Sequence, residues 1–340
     1  MFKLFIGVDI SKGSVDMTSI NAENGSETHD SFLNKALGFK SFQSWFDKFG
    51  VKPEETLVCM EHTGLYLVAL CEYLRKKGFK FSVVNPLNIK RSMGMQRVKS
   101  DKRDSWIIAQ YARRFTEQLP LNCLEDTDML KLKILNAHRE RLLKHILALE
   151  KNIKEHEDTL EKEMIKEIVK DYNSVVKTLK KKLEKTETSI LEMIESHEPM
   201  QHSFELLRSV PGVGEQVAIH MILCTYNFSR ITDPRKFGSY AGVVPNAHES
   251  GTSLRGRRRV SPFANKKMKS LLHMAALTAV KRDGDLKAYY ERKQEEGKSK
   301  MSVLNAVRNK LVHRMYSVIR RQTPYFNQPV INMKKALVKS

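Results

Sequence analysis

Short apolar runs alternating with amphipathic stretches dominate the first third of the chain. Phe2–Asp9 has the pattern of a buried strand, and Val15–Asn21 that of a second. A Glu23-Asn-Gly25 turn leads to a third strand through Thr28–Leu33. Phe39, Phe42, Trp45, Phe46 and Phe49 recur at helical spacing. Thr56–Met60 predicts a short buried strand ending at Glu61, and Tyr66–Lys77 predicts a helix stopped by Gly78. Phe79–Val84 is another strand, closed by Asn85-Pro86, and Asp101–Arg114 is again helical. Three strands able to form a meander, then alternating helices and strands, predict an α/β domain with a mixed sheet over residues 1–125.

From about 128 to 198 the pattern changes: glycine is absent, and Lys and Glu dominate. Leu142, Ile146, Leu149, Ile153, His156 and Leu160 alternate spacings of four and three, which is a heptad seam. Val176, Leu179, Leu183, Thr186 and Ile190 repeat it in a second register, with Asp171-Tyr-Asn-Ser174 as the turn between. Residues 126–200 therefore predict a long helical hairpin or coiled coil. The seam could close within one chain or join protomers. Residues 201–340 are basic, glycine-punctuated and mainly helical. A helix of roughly Met301–Gln322 puts Leu304, Val307, Leu311, Met315 and Val318 on one face, and the tail after Pro324 reads as extended.

The charge balance narrows the function. The 340 residues hold 59 Lys and Arg against 39 Asp and Glu, a net charge of +20, with a pI near 9.7. Such a chain attracts phosphate polymers or anionic membrane. No run of about 18 apolar residues is present, so no membrane-spanning helix is expected. Cys59, Cys71, Cys123 and Cys224 are widely separated and form no C-x-x-C pair. Free thiols in a reducing cytoplasm fit better than a zinc site or disulfides. Trp45 and Trp106 read as core residues, and His62, next to Glu61, as either a neighbour of that acid's site or a surface residue.

Against this cationic background four acids stand out. Asp9 and Glu61 each end an apolar strand, and Asp101 and Asp104 lie three apart, on one face of a helix. Two strand-end acids and a helical pair can converge at one sheet edge. Hard carboxylate oxygens there suit one or two Mg²⁺ (or Mn²⁺) ions, which assist phosphodiester chemistry. Taken singly, each acid is an ordinary strand end or helix cap, with Lys99, Lys102 and Arg103 as simple ion-pair partners. Their order along the strand and helix pattern favours the metal site.

Two further stretches suit phosphate. Leu206-Leu-Arg-Ser-Val-Pro211-Gly212-Val-Gly214-Glu-Gln-Val-Ala218 reads as a helix-hairpin-helix, in which Gly212 and Gly214 expose backbone N–H groups to a phosphate. The alternative is a tight structural turn. In Glu249-Ser250-Gly251-Thr252-Ser253-Leu254-Arg255-Gly256-Arg257-Arg258-Arg259, hydroxyls stand beside guanidiniums able to grip phosphate oxygens. The simplest reading is a basic loop holding nucleic-acid backbone. A nucleophilic serine is the other, and spacing does not choose among Ser250, Thr252, Ser253 and Ser261.

Gly7-Val-Asp9-Ile-Ser-Lys, Glu61-His-Thr-Gly64-Leu-Tyr66 and Lys99-Ser-Asp101-Lys-Arg-Asp104 resemble, in order, the N-terminal motifs of one family. Pro211-Gly-Val-Gly214, Tyr240-Ala-Gly242-Val-Val-Pro245 and Glu249-Ser250-Gly251 through Arg255-Gly256 resemble its C-terminal motifs. It is the DEDD transposases (recombinases) of the IS-one-ten type of bacterial insertion sequence, which includes the Piv-type DNA invertases. The resemblance implies a RuvC-like N-terminal domain of the RNase H superfamily, with Asp9, Glu61, Asp101 and Asp104 as Mg²⁺ ligands. It implies a central coiled coil and a mainly helical C-terminal transposase domain, with Ser250 as nucleophile and Ser253, Arg255, Arg257, Arg258 and Arg259 on nucleic acid. It further implies a homo-oligomer, dimer or tetramer, pairing the acids of one subunit with the serine of another. Donor and target DNA, a structured guide RNA that pairs with them, and a cytoplasmic, nucleoid-associated location complete the expectation.

Three other functions compete on the residues. A RuvC-type junction nuclease would use metal-activated water, with Ser250 only binding. An actin-like ATPase also opens on Gly-x-Asp-x-Ser, but needs a second Asp-Gly phosphate loop further along, and no stretch of the sequence makes a convincing one. Non-enzymatic nucleic-acid binding would leave the acids idle.

Overall fold

The computed structural model of the chain describes residues 2–62, 64–92, 100–121, 127–244, 249–250, 254–255, 260–282 and 284–326. Strands β1 (Leu4–Ile10), β2 (Ser14–Asn21) and β3 (Glu27–Leu33) form an antiparallel meander. Both turns have local causes. Ser11 Oγ accepts from Ser14 N–H at 2.9 Å, and Asn21 Oδ1 accepts from Glu23 N–H at 2.9 Å before Gly25, at φ +69°. Helix α1 (Ala36–Asp47) carries the chain over to β4 (Thr56–Glu61), and α2 (Val68–Lys76) carries it on to β5 (Lys80–Val84). Both strands pair in parallel, giving a five-stranded mixed sheet in the order β3-β2-β1-β4-β5. Helices α3 (Pro86–Ser92) and α4 (Asp101–Arg114) follow. The predicted strands and α4 are present to within two residues at each end. The stretch before Val68 winds as a 3₁₀ turn, Gly64–Leu67, rather than as the start of α2.

Side chains alternate along β1, so its two faces have different partners. Leu4, Ile6 and Val8 pack with Phe39, Phe42 and Phe46 of α1 and Leu70 and Leu74 of α2. Phe5 faces the other way, with Leu57 and Cys59 of β4, against Ile107, Ile108 and Tyr111 of α4. Gly7 lies on that second face. A Cβ there would stand 2.1 Å from both Ala109 N and Ser105 O, so the backbone of α4 rests directly on β1. Trp45 is buried as expected. Trp106 is half-buried against the core on the second face, its Nε1–H donating to Glu27 of β3 at 2.8 Å while the Arg103 guanidinium stacks on its ring at 4.0 Å.

Met1–Glu125 and Asp126–Ser340 are separate compact units. The second opens with α5 (Thr127–Thr159) and α6 (Lys162–Glu195), helices that pack on each other. Their pairing is antiparallel: Arg139 meets Glu187 at 2.8 Å, Glu150 meets Lys180 at 2.7 Å, and His156 stacks on Tyr172. The expected turn at Asp171–Ser174 is wrong, because α6 runs through it and the chain reverses at Leu160 and Glu161. Ile165, Val169, Tyr172 and Val176 continue the apolar spacing, so Tyr172 is a seam residue set among polar ones.

The base of the hairpin, Met129, Leu132, Ile190 and Ile194, belongs to one core with the helices that follow. These are α7 (Glu198–Arg208), α8 (Glu215–Thr225), α9 (Pro234–Tyr240), α10 (Lys266–Arg282), α11 (Gly284–Glu295) and α12 (Lys300–Arg321). A short antiparallel ladder, β6 (Glu249–Ser250) with β7 (Leu254–Arg255), lies between α9 and α10. On α12 the five expected apolar residues are all buried.

Gly7→Ala should destabilise the N-terminal unit by at least about 3 kcal/mol, because neither backbone can give way. Gly13→Ala, with nothing within 4 Å of its Cβ, should change stability by less than about 0.5 kcal/mol. Both tryptophans lie in this unit, so their fluorescence in a denaturant titration follows its unfolding alone.

Candidate active site

The register of the sheet brings the first two acids together. The β1–β4 ladder ends at Val8 opposite Met60, and one step further sets Asp9 beside Glu61. The alternation that points Phe5 and Cys59 at α4 points Asp9 and Glu61 to the same side. There α4 begins: Ser100 Oγ accepts from Arg103 N–H at 3.2 Å and caps the helix, leaving Asp101 and Asp104 in its first turn. A buried bond of 2.7 Å between the hydroxyls of Thr18, on β2, and Ser105 fixes the helix start against the sheet.

Asp9 feels the other three carboxylates, and Glu61 feels Asp104. Asp9 is pushed up from 3.8 to about 6, first by burial and then by Asp104, Asp101, Glu61 and Asp16. Glu61 is also raised, by burial first; Lys90 of α3 pulls the other way and Asp104 adds to the rise. The donors fit Mg²⁺ or Mn²⁺ in kind, since hard anionic oxygens crowd against their own repulsion. Among the described residues, no group of three or more His, Cys, Asp or Glu is arranged to hold a metal ion. The acids are near one another without being closed on a common point.

Asp16 is a participant that the sequence reading missed. It pairs with Asp9 across the β1–β2 ladder, and its carboxylate lies 3.5 Å from His29 Nε2. Its place one turn of chain after Asp9 was the available signal, once the hairpin register is known. A cleft of about 790 Å³ between Phe2, Phe5, Arg113 and Phe115 lies at the opposite end of β1 from the acids.

The second unit holds the remaining candidates. Gly212, at φ +88°, packs on α10: a Cβ would stand 2.7 Å from Ala275 O and 2.8 Å from Ala279 Cβ. Its glycine requirement is therefore one of packing. Gly214 faces open space and begins α8 without a side-chain cap, beside an exposed Arg208–Glu215 pair at 2.7 Å. The structure places Ser250 on β6, opposite Leu254, and Arg255 opposite Glu249; only their backbone is described. Thr63, Lys99, Cys123, Pro245, Gly251, Thr252, Ser253, Gly256, Arg257, Arg258, Arg259 and the tail from residue 327 lie outside the described residues. Ser261 Oγ accepts from Phe263 N–H at 3.3 Å, within a turn. Cys59, Cys71 and Cys224 are free thiols.

Residues 6–164 match a family model described as a transposase, the DEDD transposase of IS110, and residues 204–291 match one described as transposase IS116/IS110/IS902 family. The chain belongs to the IS110 family of transposases. Among relatives, the pilin gene-inverting protein of Moraxella bovis is 26% identical over 330 residues, which is 96% of this chain and 98% of the relative. The protein of the same name from Moraxella lacunata is 25% identical over the same lengths. An uncharacterized 43.6 kDa protein of insertion element IS110 from Streptomyces coelicolor is 25% identical over 139 residues, 41% of this chain and 33% of that one. Membership of this family makes the chain a DNA-cleaving and recombining enzyme. Among the described residues, no helix is long and apolar enough to cross a membrane.

The Asp9 shift has a sign that can be worked out. The folded chain holds the Asp9 proton up to about 6, whereas an ordinary carboxyl releases it near 3.8. Folded-state stability therefore falls as pH rises from about 4 to about 6, and the penalty persists above that range. Asp9→Asn should stabilise the N-terminal unit at pH 8 by about 1 kcal/mol, less than the full shift because water still reaches the carboxyl. Near pH 4 the gain should vanish, as tryptophan-monitored denaturation at the two pH values would show.

Proposed function

We propose that this IS110-family enzyme cuts and exchanges DNA strands through a phosphoserine intermediate at Ser250, with Mg²⁺ or Mn²⁺ held by Asp9, Glu61, Asp101 and Asp104. The observation that carries the reading is the gathering of Glu61, Asp101 and Asp104 around Asp9, whose carboxyl they push up, on a chain of net charge +20. Crowding like charges at a half-buried sheet edge costs stability, and a protein keeps such a cluster for what it holds. Bound there, a divalent ion would offset charge on the phosphate under attack.

In the proposed reaction Ser250 Oγ bonds to phosphorus and gives up its proton to solvent. The P–O bond to one deoxyribose breaks and releases a sugar hydroxyl. Attack by the hydroxyl of a different strand reverses the step, rejoins the DNA and frees the serine. Arg255, Arg257, Arg258 and Arg259, with Ser253, grip the backbone on either side, and the N-terminus of α8 at Gly214 offers N–H groups to a further phosphate. The N-terminal unit is read as RuvC-like, which its strand order supports. A homo-oligomer, DNA on both donor and target sides, and a structured guide RNA belong to the same reading.

A second reading has its own support. The pilin gene-inverting proteins align over nearly their whole length, whereas the insertion-element proteins align over about a third of theirs. This favours site-specific inversion as the outcome of the same chemistry. A plasmid carrying the gene with its native flanks separates the two: inverted junctions mark an invertase, excised or inserted ones a transposase.

Ser250→Ala should abolish covalent protein–DNA adducts. Asp9→Asn should lower strand cleavage by about a thousandfold or more while DNA affinity stays within about twofold. Residual cleavage without adduct in Ser250→Ala would point to metal-activated water as the nucleophile. RNA co-purifying with the protein, if a defined species from the flanking DNA, supports the guide.

A further inference from the structure

We propose that Tyr240 and Asn265 form a clasp that positions the segment bearing Ser250. The proposal rests on the reading of Ser250 as nucleophile. Tyr240 is the last residue of α9, and Asn265 lies 25 residues later, immediately before α10. The β6–β7 ladder lies between them.

Beside a longer bond from its Nδ2 to Cys224 Sγ at 3.8 Å, three of the bonds at Asn265 form the clasp. Its N–H donates to Tyr240 O at 2.8 Å. Its Nδ2 donates to Tyr240 Oη at 2.8 Å, and its Oδ1 accepts from Met268 N–H at 2.9 Å, capping α10. One residue thus ties together the departing chain, the returning chain and the helix that receives it.

The same stem is closed a second time just inside the clasp. Gly242 has φ +67°, and a Cβ there would stand 2.6 Å from Ala264 Cβ and 3.0 Å from Val260 Cγ1. The outgoing and returning strands are therefore in contact. Asn305 of α12 donates to Val243 O at 2.8 Å. Behind it Arg308, only 4% exposed, donates to His273 Nδ1 of α10 at 2.7 Å. Burial and the adjacent Arg308 hold the His273 imidazole below its ordinary range, so it accepts that bond as the neutral ring.

Neither residue is what the fold alone would require. A cap for α10 needs only an acceptor, which serine or aspartate supplies. Tyr240 is 38% exposed, and the contact of its ring with the buried Phe237 is one that phenylalanine would keep. What is specific to the pair is the amide-to-hydroxyl bond between them. Burial and Cys224 push the Tyr240 hydroxyl up to about 12, so it stays protonated and its hydrogen points to Cys224 Sγ at 3.7 Å. That makes Tyr240 a positioning residue for Ser250 and not a nucleophile in its own right.

The test uses the full-length protein and a plasmid carrying its gene with native flanks. Asn265→Ser keeps a cap for α10 but cannot reach Tyr240 Oη. Tyr240→Phe removes the hydroxyl. Each should slow adduct formation by about tenfold or more, as expected for a displaced nucleophile. DNA affinity should stay within about twofold, and the melting temperature within about 2 °C. The double variant should be no slower than either single one.

Asn265→Asp should recover most of the rate, because the tyrosine hydroxyl can donate to the new carboxylate; adding Tyr240→Phe should cancel that recovery. Unchanged adduct rates, additive losses, or losses that track melting temperature or DNA affinity would overturn the clasp. Ser250→Ala is run beside them. An adduct that survives it removes the nucleophile and with it the purpose of the clasp. An adduct that needs Ser250 but neither the Tyr240 hydroxyl nor the Asn265 amide overturns the clasp alone.

Discussion

The contact on which the N-terminal unit depends is the one at Gly7, where a helix backbone lies against a strand backbone. A helix normally stands off a sheet by the thickness of two side-chain layers. Here the missing Cβ lets Ser105 and Ala109 close onto β1. The closeness sets where α4 starts, and α4 starts with two acids at the end of the strand that carries a third. The hydroxyl pair of Thr18 and Ser105 locks the same approach from β2. A helix held a few ångströms further out would leave Asp101 and Asp104 too remote to disturb Asp9.

This arrangement also explains how a strongly cationic protein keeps an acidic centre. Charges more than a Debye length apart are screened from one another, so the net charge of the chain matters little inside a half-buried cluster. What counts is which groups lie within a few ångströms. Around Asp9 these are all carboxylates, and Lys90 is the cation that Glu61 feels. Lys and Arg elsewhere act on the long-range field that gathers a polyanion.

Local signals in the sequence were enough for most elements and for bringing Glu61, Asp101 and Asp104 near Asp9. Ser100 before Asp101, and the apolar spacing through Tyr111, define α4 without outside help. Asp9 and Glu61 are visible because each terminates an apolar run. What could not be read depended on partners distant in sequence. Gly212 suits a phosphate loop by its motif, yet its neighbour is a helix more than sixty residues on. Asp16 joins the acids only through strand register, and Trp106 stays at the rim of the core because Glu27 on β3 offers its indole a partner. The polar cluster at 171–174 looked like a turn because Tyr172 carries the seam alone there. For Ser250, residue chemistry left several hydroxyls open, and only the family motif singled it out.

The two long helices have a consequence for how the chain acquires its structure. Each is about 50 Å long at the standard rise per residue, and the turn between them is only two residues. Their contacts grow outward from that turn between residues close in sequence, so the hairpin can zip up early and quickly. Once zipped, it brings Met129 and Leu132 beside Ile190 and Ile194, although some sixty residues separate them along the chain. The helices that complete the C-terminal core then meet a preassembled floor, and the entropy of closing that long loop has already been spent. A kink in the arm would therefore be felt first as slow maturation of the unit that carries Ser250.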